Sequence, residues 1–266
     1  MSLYADEPPT AQVPHLYQRF MNGKDARPAD DDAAAAVLSV APMAVEIAKN
    51  NRSFMLRAVD YLASEAGIRQ FLDIGCGLPH EPNLHHVAQK HIPDARIVYV
   101  DNHRTVITRA RALMTDSTPE GTVEVVKADL RDPRGILSAP EVQRTLDFTQ
   151  PVALVLASVT LFIPDADDPH GAVRQLMEAL PSGSYLALSQ ATYDWSRDVV
   201  AAITRTYGAN GLGAYPRDRE ATLAFFSSLE LVEPGLVATN QWRPTPEAPF
   251  TRLVDSSMWA GVGRKP

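Results

Sequence analysis

Two glycines and two acids, set at the ends of short apolar runs, are the residues most able to do chemistry in this chain. The first run, RQFLDIGCG at 69–77, stops at Gly75-Cys76-Gly77, with Asp73 just before the stop. Glycine there lets a ligand approach the backbone closely, because no Cβ intervenes. A dinucleotide-binding loop needs a third glycine, and His80 stands at that position. Asp73 beside a pyrophosphate would repel it, whereas an ammonium or sulfonium group would be attracted. The loop therefore suits a cationic, adenosine-bearing ligand such as S-adenosylmethionine better than NAD. The competing reading is a plain strand-to-helix turn in which Asp73 caps local backbone.

The second acid closes the next run. Ala95 to Val100 is β-prone and ends at Asp101-Asn102, 26 residues beyond Gly75 (101 − 75). That distance holds one helix and a second parallel strand. An acid at this strand end accepts hydrogen bonds from both ribose hydroxyls, with Asn102 placed for the adenine edge. Alternatively, Asp101 caps the helix expected over 105–114. A third run with Val123, Val125 and Val126 ends at Ala128-Asp129-Leu130. A fourth, from Val152 to Leu156, leads into Ala157-Ser158-Val159-Thr160.

With these motifs the chain resembles the class I S-adenosylmethionine-dependent methyltransferases. More narrowly, it resembles a bacterial S-adenosyl methyltransferase family first catalogued as a domain of unknown function. The resemblance is carried by Asn22-Gly23-Lys24-Asp25, Asn51-Arg52, FLDIGCGLP at 71–79, VYVDN at 98–102, ADLRDP at 128–133 and GVGRKP at 261–266. It implies a Rossmann-like α/β fold: a seven-stranded, mostly parallel sheet with helices on both faces and an N-terminal helical cap. It also implies S-adenosylmethionine as cofactor, bound by Asp73, Gly75, Cys76, Gly77, Asp101, Asn102, Asp129, Leu130 and Ser158. In that scheme Asp129 accepts from the adenine amine and the Leu130 amide meets a ring nitrogen; otherwise Asp129 caps the turn before Pro133. Ser158 lies near the methyl-transfer position. Related sequences tend to carry a histidine close by, where this chain has Leu161, so no histidine base is assigned there. His80, Tyr17 and Tyr193 are the candidates for a catalytic group. Lys24, Asp25, Asn51 and Arg52 join Tyr17 as candidates to line the pocket under the cap.

The elements that position these residues follow from periodicity. Residues 14–66 read as the helical cap, part of the same domain as a methyltransferase core over 67–266. Residues 1–13 read as loosely held. Helices are expected near 33–40 and 42–66, the second with Met43, Ile47, Phe54, Leu56, Val59 and Leu62 inward. Another starts after Asn83 on Leu84, Val87, Ala88 and Ile92. Further strands are expected at 184–189, 229–238 and 258–263, the last two forming an antiparallel pair. Gly208–Pro216 reads as a lid or a connector.

Composition bounds the partners. The chain has 266 residues, 45% of them apolar, and a net charge of −7. Its arginines are dispersed, with Arg104, Arg109 and Arg111 on one solvated helix face, so nucleic acid is not an expected partner. No apolar run long enough for a membrane span is present. The lone cysteine fits a reducing, cytoplasmic setting. Among the histidines at 80, 85, 86 and 91, His86 and His91 are five apart and do not stack on a helix, and no cysteine is near. The acids at 165, 167 and 168 could bind a hard cation, but a simpler account is available for both groups. The histidines read as a solvated face and Asp168 as a helix N-cap before Pro169. If the chain self-associates, a homodimer is the commonest assembly. The expected activity is methyl transfer to O, N or C of a small-molecule acceptor. The alternatives are a non-catalytic S-adenosylmethionine-binding sensor and, less favoured, a nucleotide-dependent oxidoreductase.

Overall fold

The computed structural model describes residues 10–23, 27–245 and 252–266. Lys24 and Asp25, two of the residues expected under the cap, lie outside these segments.

Four short apolar runs become parallel strands: β1 (Gln70–Ile74), β2 (Arg96–Asp101), β3 (Thr122–Lys127) and β4 (Ala153–Ala157). A fifth, β5 (Tyr185–Ala191), joins β4 in parallel. It runs two residues past the expected end, so Gln190 and Ala191 belong to the sheet. β1 is buried at all five positions, which is why it shows no alternation in sequence. The remaining strands are β6 (Glu230–Leu231), β7 (Val237–Ala238) and β8 (Met258–Arg264). The sheet order is β3-β2-β1-β4-β5-β8-β6, and β7 also pairs with β8. β5 and β6 flank β8 in antiparallel register, and β7 lies on the β6 side, further along. The single strand expected over 229–238 is thus two pieces on one edge. They are separated by a turn in which Gly235 adopts φ 85°, and the eight strands occupy seven positions.

Helices cover both faces. On one, α3 (Ala44–Ser64) and α4 (Leu84–His91) bury Phe54, Ala58, Leu62, Leu84 and Ala88 against Phe71, Ile97 and Tyr99. On the other, α6 (Pro133–Ser138), α7 (Pro140–Thr145) and α8 (Pro169–Ala179) pack Ile136, Val142 and Leu176 against Leu72, Val98 and Leu154. Asp168 does cap α8, accepting the Gly171 amide at 2.9 Å. α5 (Arg104–Leu113) links β2 to β3. Arg109 on it is half-buried rather than solvated.

The N-terminal layer comprises α1 (Val13–Phe20) and α2 (Pro28–Val40), closed on the first turns of α3 by Leu16, Phe20, Ala33, Val37, Ala44 and Ala48. α2 begins at Pro28, five residues earlier than expected. Residues 10–13 are tied down: Ala11 is buried and the Gln12 amide donates to the buried carboxylate of Asp30 at 2.8 Å. Asn22 takes the left-handed backbone after α1, at φ 61°. Met43, Ile47 and Leu56 are only half-buried, because Ala44, Ala48, Met55 and Ala58 take the inward positions. His85 is not on a solvated face. It is fully buried, with its backbone amide donating to the Tyr99 hydroxyl at 2.9 Å.

α9 (Arg197–Ala209) docks on α2 from the other end of the chain. The glycine-rich stretch after it is pinned where it ends. The Tyr215 amide donates to the Leu161 carbonyl at 2.8 Å, and the Arg217 amide to the Ala191 carbonyl at 2.9 Å. α10 (Arg219–Leu223) and α11 (Leu253–Ser256) are short and follow later.

Candidate functional site

The carboxyl ends of β1 to β5 converge on one crest. Gly75 and Gly77 both have positive φ, 76° and 68°. A Cβ on Gly75 would fall 2.5 Å from the Val159 side chain, so the loop packs on the turn after β4. A Cβ on Gly77 would meet nothing within 4 Å, leaving open space beside the backbone. The Gly75 and Cys76 amides donate to the Val100 carbonyl, at 2.8 and 3.2 Å. Cys76 is a free cysteine whose thiol is pushed well up by burial and by the acids Asp101 and Asp73. That shift disfavours the thiolate, the reactive form.

Asp101 ends β2 and is buried. Its Oδ2 accepts the Gly77 amide at 3.0 Å and its Oδ1 the His103 amide at 2.8 Å. Burial raises its carboxyl above the usual range, the amide hydrogen bonds oppose this, and Asp129 adds to it. Asp101 therefore both steadies the residues before α5 and grips the glycine loop, with lone pairs to spare.

Asp73 lies beside Tyr99 in the β1–β2 register. It is 6% exposed. Burial pushes its carboxyl up to about 7, with Arg52 opposing and Asp101 reinforcing. It is thus no local backbone cap: among the described residues no hydrogen bond reaches it. Arg52 on α3 uses Nη2 to donate to the carbonyls of His80 and of Pro82, the latter at 2.7 Å. Its Nε is buried without a partner.

Beyond β3, Asp129 is saturated. Its Oδ1 accepts the Arg131 amide and Nε, at 2.9 and 3.0 Å. Its Oδ2 accepts Arg131 Nη2 at 2.7 Å and Asn102 Nδ2 at 2.8 Å. Arg131 holds its carboxyl down at about 2. Four donors fill the four acceptor positions of a carboxylate, so the expected bond from an adenine amine has no free place on Asp129. The cap of α6 is Asp132, which accepts the Gly135 amide at 2.9 Å. Leu130 is buried beneath the same loop.

Ser158 follows β4 with φ 66°, rare for a residue with a side chain. Its amide donates to the Ser189 carbonyl at 3.1 Å. The turn beyond it is held from behind by three buried residues. The Thr160 hydroxyl donates to Gln190 Oε1 at 2.7 Å, and Arg217 donates to the Thr160 and Ile163 carbonyls at 2.8 Å each. Sequence reasoning missed this group. Nothing in the periodicity marks Arg217 as buried, and with Arg219 two residues on it reads as one of a pair of surface charges after a glycine-rich stretch.

The catalytic candidates are not brought together. The Tyr17 hydroxyl donates to the Ala48 carbonyl at 3.0 Å and accepts Asn51 Nδ2 at 3.1 Å, while Asn51 Oδ1 accepts the Ser189 hydroxyl at 2.5 Å. Burial raises the Tyr17 pKa. The Tyr207 ring stacks on Phe162 with centroids 6.3 Å apart. Tyr193 lies under the Arg197 guanidinium, 4.8 Å from the ring centroid. His80 is half-buried, and burial followed by Arg52 lowers its pKa, favouring the neutral imidazole.

A parallel sheet with this strand order, a glycine turn after β1 and an acid at the end of β2 is the framework of a class I S-adenosylmethionine-dependent methyltransferase. Residues 3–266 match the S-adenosyl methyltransferase family, and the chain belongs to it. A DUF574-family protein from Streptomyces avermitilis is 43% identical, with each chain covered completely and a TM-score of 0.95. A proposed methyltransferase from Thermobifida fusca is 37% identical over 98% of this chain and 99% of that one, with a TM-score of 0.86. A curated relative, the carboxy-S-adenosyl-L-methionine synthase of Psychrobacter arcticus, is 24% identical over 140 residues. That match spans 53% of this chain and about half (48%) of the relative. The protein is an S-adenosylmethionine-dependent methyltransferase. Among the described residues no helix is long and apolar enough to cross a membrane.

Proposed function

We propose that the crest binds S-adenosylmethionine in one orientation and that the methyl group passes to O, N or C of a small-molecule acceptor beyond β4 and β5. The observation that carries this is the pairing of an open glycine backbone at Gly77 with two buried acids, Asp73 and Asp101, that retain unfilled acceptor positions. These residues fit the cofactor. Asp73 takes the ammonium, Asp101 takes the ribose hydroxyls, and Gly77 offers open backbone, with Gly75 and Cys76 setting the turn that leads to it. Asn102 presents its carbonyl to the adenine amine, with its own amide fixed on Asp129. The Leu130 amide meets a ring nitrogen.

The cofactor supplies an activated methyl on a sulfonium, so the chain's contribution is proximity and alignment. Ser158 and the turn behind it mark the transfer position, and Tyr17, Phe162 and Tyr207 wall the acceptor side. Tyr17 is committed to Ala48 and Asn51 and is no base at neutral pH. Tyr193 is engaged with Arg197. His80 is the remaining candidate for an acceptor that must lose a proton. We place the protein in the cytoplasm, where a free Cys76 thiol persists.

Calorimetric titration with S-adenosylmethionine, S-adenosylhomocysteine and NAD tests the reading. Saturable binding of the first two and none of NAD is expected; preference for NAD overturns it.

A further inference from the structure

Three aromatic rings converge under the cap at the transfer turn: Tyr17 from α1, Phe162 from the turn after β4 and Tyr207 from α9. Each is half-buried and keeps surface uncovered. Phe162 is placed by the turn itself. Its amide donates to the Val159 carbonyl at 3.1 Å, and the Val159 side chain lies against Gly75. The Tyr207 ring stacks on Phe162 with planes 23° apart and centroids 6.3 Å apart. The two tyrosine hydroxyls differ. That of Tyr17 is spent on the Ala48 carbonyl and the Asn51 side-chain amide. That of Tyr207 makes no hydrogen bond among the described residues. Burial, then the neighbouring Tyr17 hydroxyl, raises the Tyr207 pKa, and no ionic side chain contributes. A sheltered hydroxyl without a partner in the chain calls for one from outside it.

We infer that Phe162 and Tyr207 form the acceptor subsite and that it takes a neutral, planar aromatic acceptor, one whose hydroxyl or ring nitrogen bonds to the Tyr207 hydroxyl. The inference rests on the cofactor reading above and deepens it by naming the class of acceptor. Nearly parallel rings present flat faces, and a third planar ring extends the stack where a saturated ring does not. A carboxylate or ammonium group would lose its hydration beside Tyr207, where no ionic side chain among the described residues acts on it. A neutral ring avoids that cost. The Tyr207 hydroxyl both donates and accepts, so it serves a phenol and a ring nitrogen alike. It keeps its own proton at neutral pH, which makes it a specificity-determining residue and not a base. Aromatic walls with a few placed polar groups are the usual make-up of a small-molecule site.

The test uses the protein saturated with S-adenosylhomocysteine and reads dissociation constants by ligand-observed NMR titration. The probes are 2-naphthol, naphthalene, decahydro-2-naphthol and 2-naphthoate. Wild type is expected to bind 2-naphthol about three- to tenfold tighter than its saturated counterpart, and about tenfold or more tighter than the carboxylate. Tyr207→Phe keeps the ring and is expected to weaken 2-naphthol by about three- to tenfold while leaving naphthalene within about twofold. Phe162→Leu is expected to weaken 2-naphthol and naphthalene alike, by about three- to tenfold. S-adenosylhomocysteine affinity within about twofold of wild type reports that both variants are folded with the cofactor site intact. Absence of 2-naphthol binding, equal or tighter binding of the saturated alcohol or the carboxylate, or 2-naphthol affinity that neither variant moves, each overturns the inference. Wild type that fails to bind S-adenosylhomocysteine sinks the cofactor reading instead, a separate result.

Discussion

The carboxylate of Asp101 accepts the backbone amide of Gly77 at 3.0 Å, joining the end of β2 to the glycine loop after β1. Two strand ends are thereby fixed relative to one another before any ligand arrives. The same oxygen pair faces the proposed ribose position, so one side chain sets both the shape of the loop and the sugar contact.

Asp101→Ala should therefore weaken S-adenosylhomocysteine binding by about 1–3 kcal/mol, the scale of leaving polar partners unpaired. Titration calorimetry checks this. Asp101→Asn, which keeps one acceptor oxygen, should lose less. Unchanged affinity in both variants would remove the ribose assignment.

Asp73 should make cofactor binding depend on pH. Its carboxyl titrates at about 7 in the free protein because burial disfavours the charge. An ammonium partner needs the carboxylate, so affinity should rise with pH from about 6 to 8. At pH 7 binding should release protons, read as a dependence of the calorimetric enthalpy on the buffer's ionisation heat. Asp73→Asn should abolish it. For stability the sign is opposite. A carboxyl raised in the fold binds more protons folded than unfolded between its ordinary value and about 7. Stability of the free protein should thus fall as pH rises through that window, and less so in the variant.

Gly75 and Gly77 should respond differently to a methyl group. Both need a left-handed backbone, at a cost of about 1–2 kcal/mol for alanine. Only at Gly75 would the new Cβ also strike Val159, 2.5 Å away. Urea denaturation should show Gly75→Ala losing more stability than Gly77→Ala. Val159→Ala should recover part of the difference in a double-mutant cycle. Equal losses would argue against packing between the glycine loop and the turn after β4.

Arg217 should prove a structural keystone of the transfer turn. Its side chain is 4% exposed while its partner Asp165 is 83% exposed, so the ion pair itself contributes little. Its weight lies in the Thr160 and Ile163 carbonyls. Arg217→Met should cost about 2–4 kcal/mol in thermal or urea unfolding, from two buried acceptors left unpaired. Arg217→Lys should recover only part, because a single ammonium does not reproduce the planar fork.

The strands were legible because buried parallel strands announce themselves as continuous apolar runs, and Asp73, Gly75, Gly77 and Asp101 were legible because each sits where such a run stops. The side-chain economy was not. Asp129 looked free in sequence, yet Arg131, two residues on, fills most of its acceptor positions. His85 looked solvated among neighbouring histidines, yet α4 turns it into the core under Tyr99. Apart from the Tyr215 carbonyl, Arg217 draws its partners from residues 27 to 57 positions away, a distance no local pattern reaches. The strand over 229–238 failed for a simpler reason. Glu233-Pro234-Gly235 is turn chemistry inside an otherwise β-prone run, and the turn prevailed.

α3 is one rod of 21 residues whose two ends belong to different layers. Phe54, Val59 and Leu62 are clamped on the sheet, while Ala44 and Ala48 hold α1 and α2. Arg52 and Asn51 stand between the clamped and the capping halves. Ala48, at the seam that holds α1 and α2, lies one helical turn before Arg52, which donates to the loop carbonyls of His80 and Pro82, so the packing of the N-terminal layer and the hold on the loop after Gly77 are successive turns of the same helix.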